Sequence, residues 1–254
     1  MRRLHLFEFG DQQWFPQILR DAETTYLATS YRIFSVLPRR WAEKIATVLR
    51  PGEPAEILDL CSGSGGAMPL ILEELNKHGC DARAMLTDLF PNPTAVSHPR
   101  IVWVAEPVDA TRVSPKLAGV RTMFSAFHHF RPDAAKAILK DAFDRRCAIC
   151  IFESGSDGVL AAGAMLGAPL AVLALMPFAR PFRIPYLVFT YLIPLLPFII
   201  LWDGLVSILR IYSPGEMKKL TEDLQAPDYA WEIGRIQLFS ILDGLPYLIG
   251  RPIP

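Results

Sequence analysis

Residues 56–66 read EILDLCSGSGG, and this stretch limits the fold more than any other. A short apolar run ends in an acid, Asp59. The chain then turns through small residues, Cys61 to Gly66, and a helical pattern, AMPLILEELNKHG, starts at once. A short apolar run bounded by glycines reads as a buried strand. Glycine tolerates positive φ and lets the backbone approach a ligand. A helix N-terminus just beyond offers free N–H groups. Strand, tight glycine loop and helix in that order predict the first unit of a parallel α/β sheet with a ligand over the loop.

The rest of the chain extends this unit. RAMLTD (83–88), IVWV (101–104), VRTMFSAF (120–127) and CAICIFE (147–153) read as further strands. DAAKAILKDAFDRR (133–146) is a helix with basic residues at its C-terminal end, as the dipole favours. Alternating strands and helices predict a parallel sheet with right-handed crossovers. AWEIG (230–234) and PYLIG (246–250) read as closing strands. Before them SPGEMKKLTEDL opens a helix with Ser213 at the N-cap, Pro214 at N1 and Glu216 completing a capping box. Residues 11–50 read as helices, with Asp11 as the first N-cap. The expected organisation is a helical cap (1–50), a cofactor-binding core (51–153), an apolar helical insert (154–212) and a completion of the core (213–254).

Three ligand readings compete at the loop. A nicotinamide fingerprint needs GxGxxG, and counted from Gly63 its third glycine position holds Met68. A P-loop needs Lys followed by Ser or Thr after the glycines, and there is none. The third is a nucleoside cofactor without a pyrophosphate. A second strand ending at Asp88 places an acid beside the loop, where it reaches ribose hydroxyls.

At this point a resemblance carries the reading further. Asp59-Leu60-Cys61-Ser62-Gly63-Ser64-Gly65 resembles the first motif of class I S-adenosylmethionine-dependent methyltransferases, with Cys61 in the place of the first glycine. The resemblance implies a Rossmann-like, doubly wound, seven-stranded sheet with its last strand antiparallel, and S-adenosylmethionine as cofactor. It makes Asp88 the ribose-binding acid, Asp109 and Ala110 the adenine segment, and Ser125 a neighbour of the methionine part. FEFGDQQWFPQILRDAETTYL, FSAFHHFRPD and YLIPLLPFIILWDGLVSILRIYSP are also similar to a bacterial group of class I methyltransferases that brings no substrate with it.

Methyl transfer from a sulfonium is an in-line displacement governed by positioning, and it needs a base only if the acceptor has a proton to lose. His128 and His129, just past the fourth strand, are the candidate base or positioner; the alternative is that one ring packs or caps the next helix. Glu153 binds an acceptor's polar head or the cofactor's amino group, or caps a turn. Asp203, Ser207 and Arg210 fall at i, i+4 and i+7, so Asp203 and Arg210 either bind the acceptor's head or pair internally. Trp14 and Tyr26 line the substrate pocket or belong to the core.

The insert is the chain's second distinctive feature. GVLAAGAMLGAPLAVLALMPF (158–178) and IPYLVFTYLIPLLPFIILW (184–202) carry no charge, and each is long enough by count to span a bilayer. Prolines 169, 177, 185, 194 and 197 break them. A spanning hairpin would carry Arg180 and Arg183 across, against the positive-inside tendency. A monotopic or re-entrant hairpin leaves the arginines at the headgroups, and a buried lid avoids the membrane altogether. Gly163 and Gly167 form a GxxxG suited to close helix packing.

Composition narrows the function. Apolar residues make up 51% of the 254, formal net charge is +0 with 26 basic and 26 acidic residues, and so nucleic acid is an unfavoured partner. Four cysteines are scattered, and Cys147 and Cys150 form a CxxC inside a strand, where i and i+3 face opposite sides. No metal is expected, and acidic and polar residues early in the chain break any secretory signal pattern. The expectation is a methyltransferase for a hydrophobic or lipid-like acceptor at the cytoplasmic side of the inner membrane. The alternatives are a cytoplasmic enzyme for an apolar metabolite, and a membrane-associated binding protein without catalysis.

Overall fold

In the computed structural model, which describes residues 3–50, 52–92, 96–156, 158–238 and 244–253, the apolar runs pair into one seven-stranded sheet. Helices α1 (Gln17–Ile33) and α2 (Val36–Ala46) precede β1 (Ala55–Asp59). Then come α3 (Met68–Lys77), β2 (Ala82–Leu86), β3 (Ile101–Trp103), β4 (Val120–Phe124), α4 (Pro132–Asp144) and β5 (Ile149–Phe152). The insert holds α5 (Val159–Met165), α6 (Ala168–Leu175), α7 (Ile184–Leu187) and α8 (Leu195–Arg210). Helix α9 (Pro214–Thr221), β6 (Tyr229–Ile236) and β7 (Leu245–Pro252) close the chain.

The strand order is β3-β2-β1-β4-β5-β7-β6. Strands β1 to β5 are mutually parallel, and β7 runs antiparallel to both β5 and β6. The chain winds outward from β1 through β2 to β3, then crosses to β4 on the other side. The switch between β1 and β4 leaves a crevice at their carboxyl ends. Period-two alternation divides the strands' side chains between two cores. Ile57, Cys150, Phe152 and Ile249 face α2 and α3, whereas Leu58, Ile149, Ile151 and Leu248 face α4 and α9. Trp41 of α2 lies over Phe124 and Phe152, with ring centroids 5.0 and 6.0 Å away. Cys150 is buried on β5, Cys147 lies just before it, and both are free thiols.

The capping box at α9 forms as expected: Ser213 Oγ accepts from the Glu216 N–H, and the Glu216 carboxylate accepts from the Ser213 N–H. Two expectations are corrected. Asp11 caps no helix; α1 starts at Gln17 after Pro16, because the Asp11 carboxylate is taken by His129 and Arg210. The GxxxG is not a packing seam either. A Cβ on Gly163 would meet nothing within 4 Å, and one on Gly167 only the Ala164 carbonyl. The close approach is at Gly204 of α8, where a Cβ would lie 2.5 Å from the Met165 sulfur of α5.

The prolines break the insert as its sequence predicts. α5 and α6 meet at 46°, and the α7 segment meets α8 at 83°. No single helix among the described residues is long and apolar enough to cross a membrane. One side of the insert packs on α1, through Ala22 and Tyr26 against Val172, Met176, Tyr186 and Ile200.

Candidate active site

The glycine loop closes tightly on β2. Cys61, Gly63 and Gly65 have φ of 58°, 55° and 70°, so every second residue is left-handed. Cys61, in the first glycine's place, adopts the left-handed conformation that favours glycine, at a cost of roughly 1 kcal/mol or more. Gly63 N–H donates to the Asp88 carboxylate at 2.7 Å, and Ser62 N–H to the Thr87 carbonyl at 2.9 Å. Asp88 also accepts from Phe90 N–H at 2.8 Å. Its burial raises its pKa, against the pull of these two N–H groups. Asp59 lies beneath the loop, 3% exposed, and accepts from Thr122 Oγ1 at 2.7 Å. Burial pushes its carboxyl up to about 7, despite the hydrogen bonds from Thr122 and Ser62. Burial, reinforced by Asp88 and Asp59, pushes the Cys61 thiol well up, so it is no nucleophile.

Helix α1 sits on this loop. Ser64 Oγ donates to the Thr24 carbonyl at 2.7 Å. A Cβ on Gly66 would come within 2.7 Å of Ala28 Cα, and one on Gly63 within 3.0 Å of the Thr24 methyl. The glycine at 66 therefore serves helix docking. Tyr31, further along α1, shares a 2.9 Å hydrogen bond with Ser125 Oγ at the end of β4, where Ser125 has φ of 51°. Asp109 closes a turn by accepting from Thr111 N–H at 2.8 Å and Thr111 Oγ1 at 2.7 Å, and Ala110 is buried beside it.

Past β4 the chain makes a short 3-10 turn, Phe127–His129, whose two imidazoles stack with centroids 4.3 Å apart. His128 is 4% exposed, and Glu153 at the end of β5 grips it twice. The Glu153 carboxylate accepts from the His128 N–H at 3.0 Å and from ring Nδ1 at 2.7 Å. A carboxylate there places a ring proton on Nδ1. His129 Nδ1 donates to Asp11 at 2.7 Å and lies 3.3 Å from Glu8. Burial alone would lower the pKa of His129, but the carboxylates of Glu8 and Asp11 raise it to about 9.

Glu8 and Asp11 were not among the residues expected at this site. Residues 3–11 form a strap along α8. Asp203 accepts from Phe9 and Gly10 N–H at 2.9 and 3.0 Å. Ser207 Oγ donates to Glu8 at 3.1 Å, and Arg210 donates to the Leu6 carbonyl at 2.7 Å. The Arg210 guanidinium, 2% exposed, pairs with Glu8 at 3.2 Å and Asp11 at 2.7 Å. Asp203 and Arg210 thus engage the strap rather than each other, and both Glu153 oxygens hold His128. Burial also raises Glu23, well above the usual range, and Asp203, to about 6, with the other acids adding to it. Trp14 is 68% exposed and packs edge-on to Phe9 and Phe15, whereas Tyr26 lies in the contact between α1 and the insert.

The structure therefore gathers Asp88, Cys61, Gly63 and Gly65 at the loop, and His128, His129 and Glu153 beyond β4, all at the carboxyl ends of the parallel strands. Two hollows lie elsewhere. One, of about 330 Å³, is at the amino ends of β1 and β4, lined by Glu56, Gly119 and Val120. The other, of about 570 Å³, lies between Arg32, Ile33, Phe178, Arg180 and Phe182 at the insert's tip.

No family model matches the chain, and no curated protein matches it. Solved structures do. The chain is similar to the plantazolicin methyltransferase BpumL in complex with SAH, at TM-score 0.54 and 12% identity, covering 94% of this chain and 96% of that one. The mitomycin 7-O-methyltransferase MmcR aligns at TM-score 0.49 and 14% identity, and the match spans 85% of this chain and 54% of that longer one. Sheet order, the antiparallel last strand and the first of these alignments give the chain the Rossmann-like fold of class I methyltransferases.

Proposed function

We propose that this chain is an S-adenosylmethionine-dependent methyltransferase that works at the cytoplasmic face of the inner membrane on a lipid-like acceptor. The observation that carries the membrane part is the insert's outer side. Leu160, Leu170, Phe178, Ile184, Leu192 and Phe198 are between 61% and 77% exposed. A soluble monomer rarely shows so many large apolar side chains on one segment. The bent helix pairs suit a shallow, re-entrant seat better than a span. Arg32 and Arg180, beside Phe178 and Phe182, are placed to meet anionic headgroups while the rings enter the acyl boundary.

The cofactor fits the residues present. The loop bends through three left-handed residues, α3 starts without a side-chain cap, and an acid, Asp88, follows two residues after the second strand. S-adenosylmethionine supplies a methyl group already activated on sulfonium. The chain supplies position. Asp88 orients ribose hydroxyls, Asp109 and Ala110 border the adenine, and Ser125 with Tyr31 meets the methionine end. His128, gripped at its backbone and ring by Glu153, serves with His129 as base or positioner for the acceptor. α1 and the strap exclude water.

The test is transfer of a labelled methyl group from S-adenosylmethionine to total membrane lipid and, separately, to water-soluble cell extract. Label in the lipid fraction, lost in Asp88→Asn, is the expected result. Label in the aqueous fraction alone would overturn the membrane reading and make the insert a lid. Cofactor binding with no transfer to either fraction would overturn the catalytic reading.

A further inference from the structure

The geometry points to a divalent metal site, of zinc type, formed by Glu8, His128 and His129 beneath the N-terminal strap. One carboxylate oxygen and one ring nitrogen from each histidine all lie within 4.8 Å of one another. One Glu8 oxygen is 4.0 Å from His128 Nε2 and the other is 3.3 Å from His129 Nδ1. Metal–ligand bonds near 2.0–2.1 Å in tetrahedral geometry separate ligand atoms by about 3.3 Å. An ion would therefore draw His128 inward, and it would displace the Nδ1 proton that His129 shares with Asp11.

A second, independent observation singles out His128. Its residue is 4% exposed, and its Nε2 is buried with no hydrogen-bond partner. A buried polar atom without a partner costs about 1–3 kcal/mol and calls for an explanation. The same ring is held at Nδ1 by Glu153 at 2.7 Å. A carboxylate on the far nitrogen is the arrangement that orients a metal-binding imidazole and raises its basicity. Charge agrees. The carboxylates of Glu8, Asp11 and Glu153 meet one guanidinium, Arg210, and the two imidazoles. Glu8 bridges both sides: one oxygen takes Arg210 and Ser207, and the other faces His129.

Two imidazoles and one carboxylate suit zinc among the common divalent ions, and three protein ligands leave a fourth position open. The turn Phe127–His129 follows β4, so both imidazoles stand at the carboxyl end of the parallel strands. An acceptor hydroxyl that reached the open position would be acidified by the ion. Its proton would leave to water, its oxygen would form the new C–O bond, and the C–S pair would stay on the donor's sulfur. This step rests on the methyltransferase reading, whereas metal binding does not.

The test is calorimetric titration of the full-length, chelator-treated protein with zinc chloride, without methyl donor, in a Cys61→Ser/Cys147→Ser background to remove the two partly exposed thiols. The expected result is one zinc per chain, weakened at least about 100-fold by Glu8→Gln or His129→Ala and about 10- to 100-fold by Glu153→Gln. Cobalt(II) should give a tetrahedral visible spectrum that Glu8→Gln abolishes, and circular dichroism checks that each variant is folded. No zinc uptake, or uptake that Glu8→Gln and His129→Ala leave unchanged in folded protein, would overturn the assignment. Zinc uptake without methyl transfer would leave the site standing and remove the catalytic reading instead.

Discussion

Arg210→Met is the sharpest test of how the strap is held. The native guanidinium is 2% exposed and faces Glu8, whose side chain is 3% exposed, and Asp11, at 31%. Removing one partner of a buried ion pair leaves the other charge uncompensated, at about 3–5 kcal/mol. Asp11 reaches water and keeps His129, so Glu8 carries most of the loss and the lower end, about 3 kcal/mol, is expected. For a chain this size each kcal/mol moves Tm by about 2–4 °C, so the midpoint should fall by roughly 6–12 °C. The Leu6 carbonyl loses its donor as well, so residues 3–11 should become protease-sensitive. Urea unfolding with limited proteolysis reads both effects. Pairing Arg210→Met with Glu8→Leu should recover most of the stability, since two apolar groups of similar volume replace the pair. A loss under about 1 kcal/mol, or a double variant no better than the single, would refute this account of the strap.

Other perturbations separate the remaining claims. Gly66→Ala places a methyl 2.7 Å from Ala28 Cα, so α1 must lift from the loop; a loss of about 1–3 kcal/mol and weaker cofactor binding by calorimetry are expected. Asp59 has an ordinary pKa of 3.8 and is raised by burial to about 7. A carboxyl raised on folding favours the fold while protonated, so its contribution is full below about pH 4 and is lost as pH rises to about 7. That loss is on the order of 4 kcal/mol, and Asp59→Asn should flatten the urea midpoint between pH 4 and 7 relative to the parent. Leu170, Leu192 and Phe198 are 66–77% exposed, so replacing all three by Ser should change stability little while abolishing co-sedimentation with anionic vesicles. Unchanged sedimentation would place the membrane contact elsewhere.

Much of the core was readable along the chain because its signals are local. The apolar runs that became β1 to β5 sit within a few residues of their expected bounds, and the Ser213 capping box needs only neighbours three residues apart. The loop at Cys61–Gly66 was legible for the same reason: small residues between a strand and a helix leave few backbone solutions. The GxxxG at Gly163 and Gly167 misled because spacing marks a surface without saying what reaches it. Asp11 misled because an acid before a helical pattern is an N-cap only if nothing better charged takes it.

The sequence by itself determined the α/β class, the glycine loop with its acid at Asp88, the broken apolar insert, and the presence of histidines past the fourth strand. Each follows from residue type and short-range periodicity. Only the tertiary structure decided what those histidines face. Glu153 reaches His128 from a neighbouring strand, and Glu8 and Asp11 reach the pair from the far end of the chain, brought there by Asp203, Ser207 and Arg210 on α8. No local pattern encodes contacts between residues so distant in sequence, because they exist only once the sheet has closed and the strap has laid its backbone N–H groups against the half-buried Asp203 carboxylate.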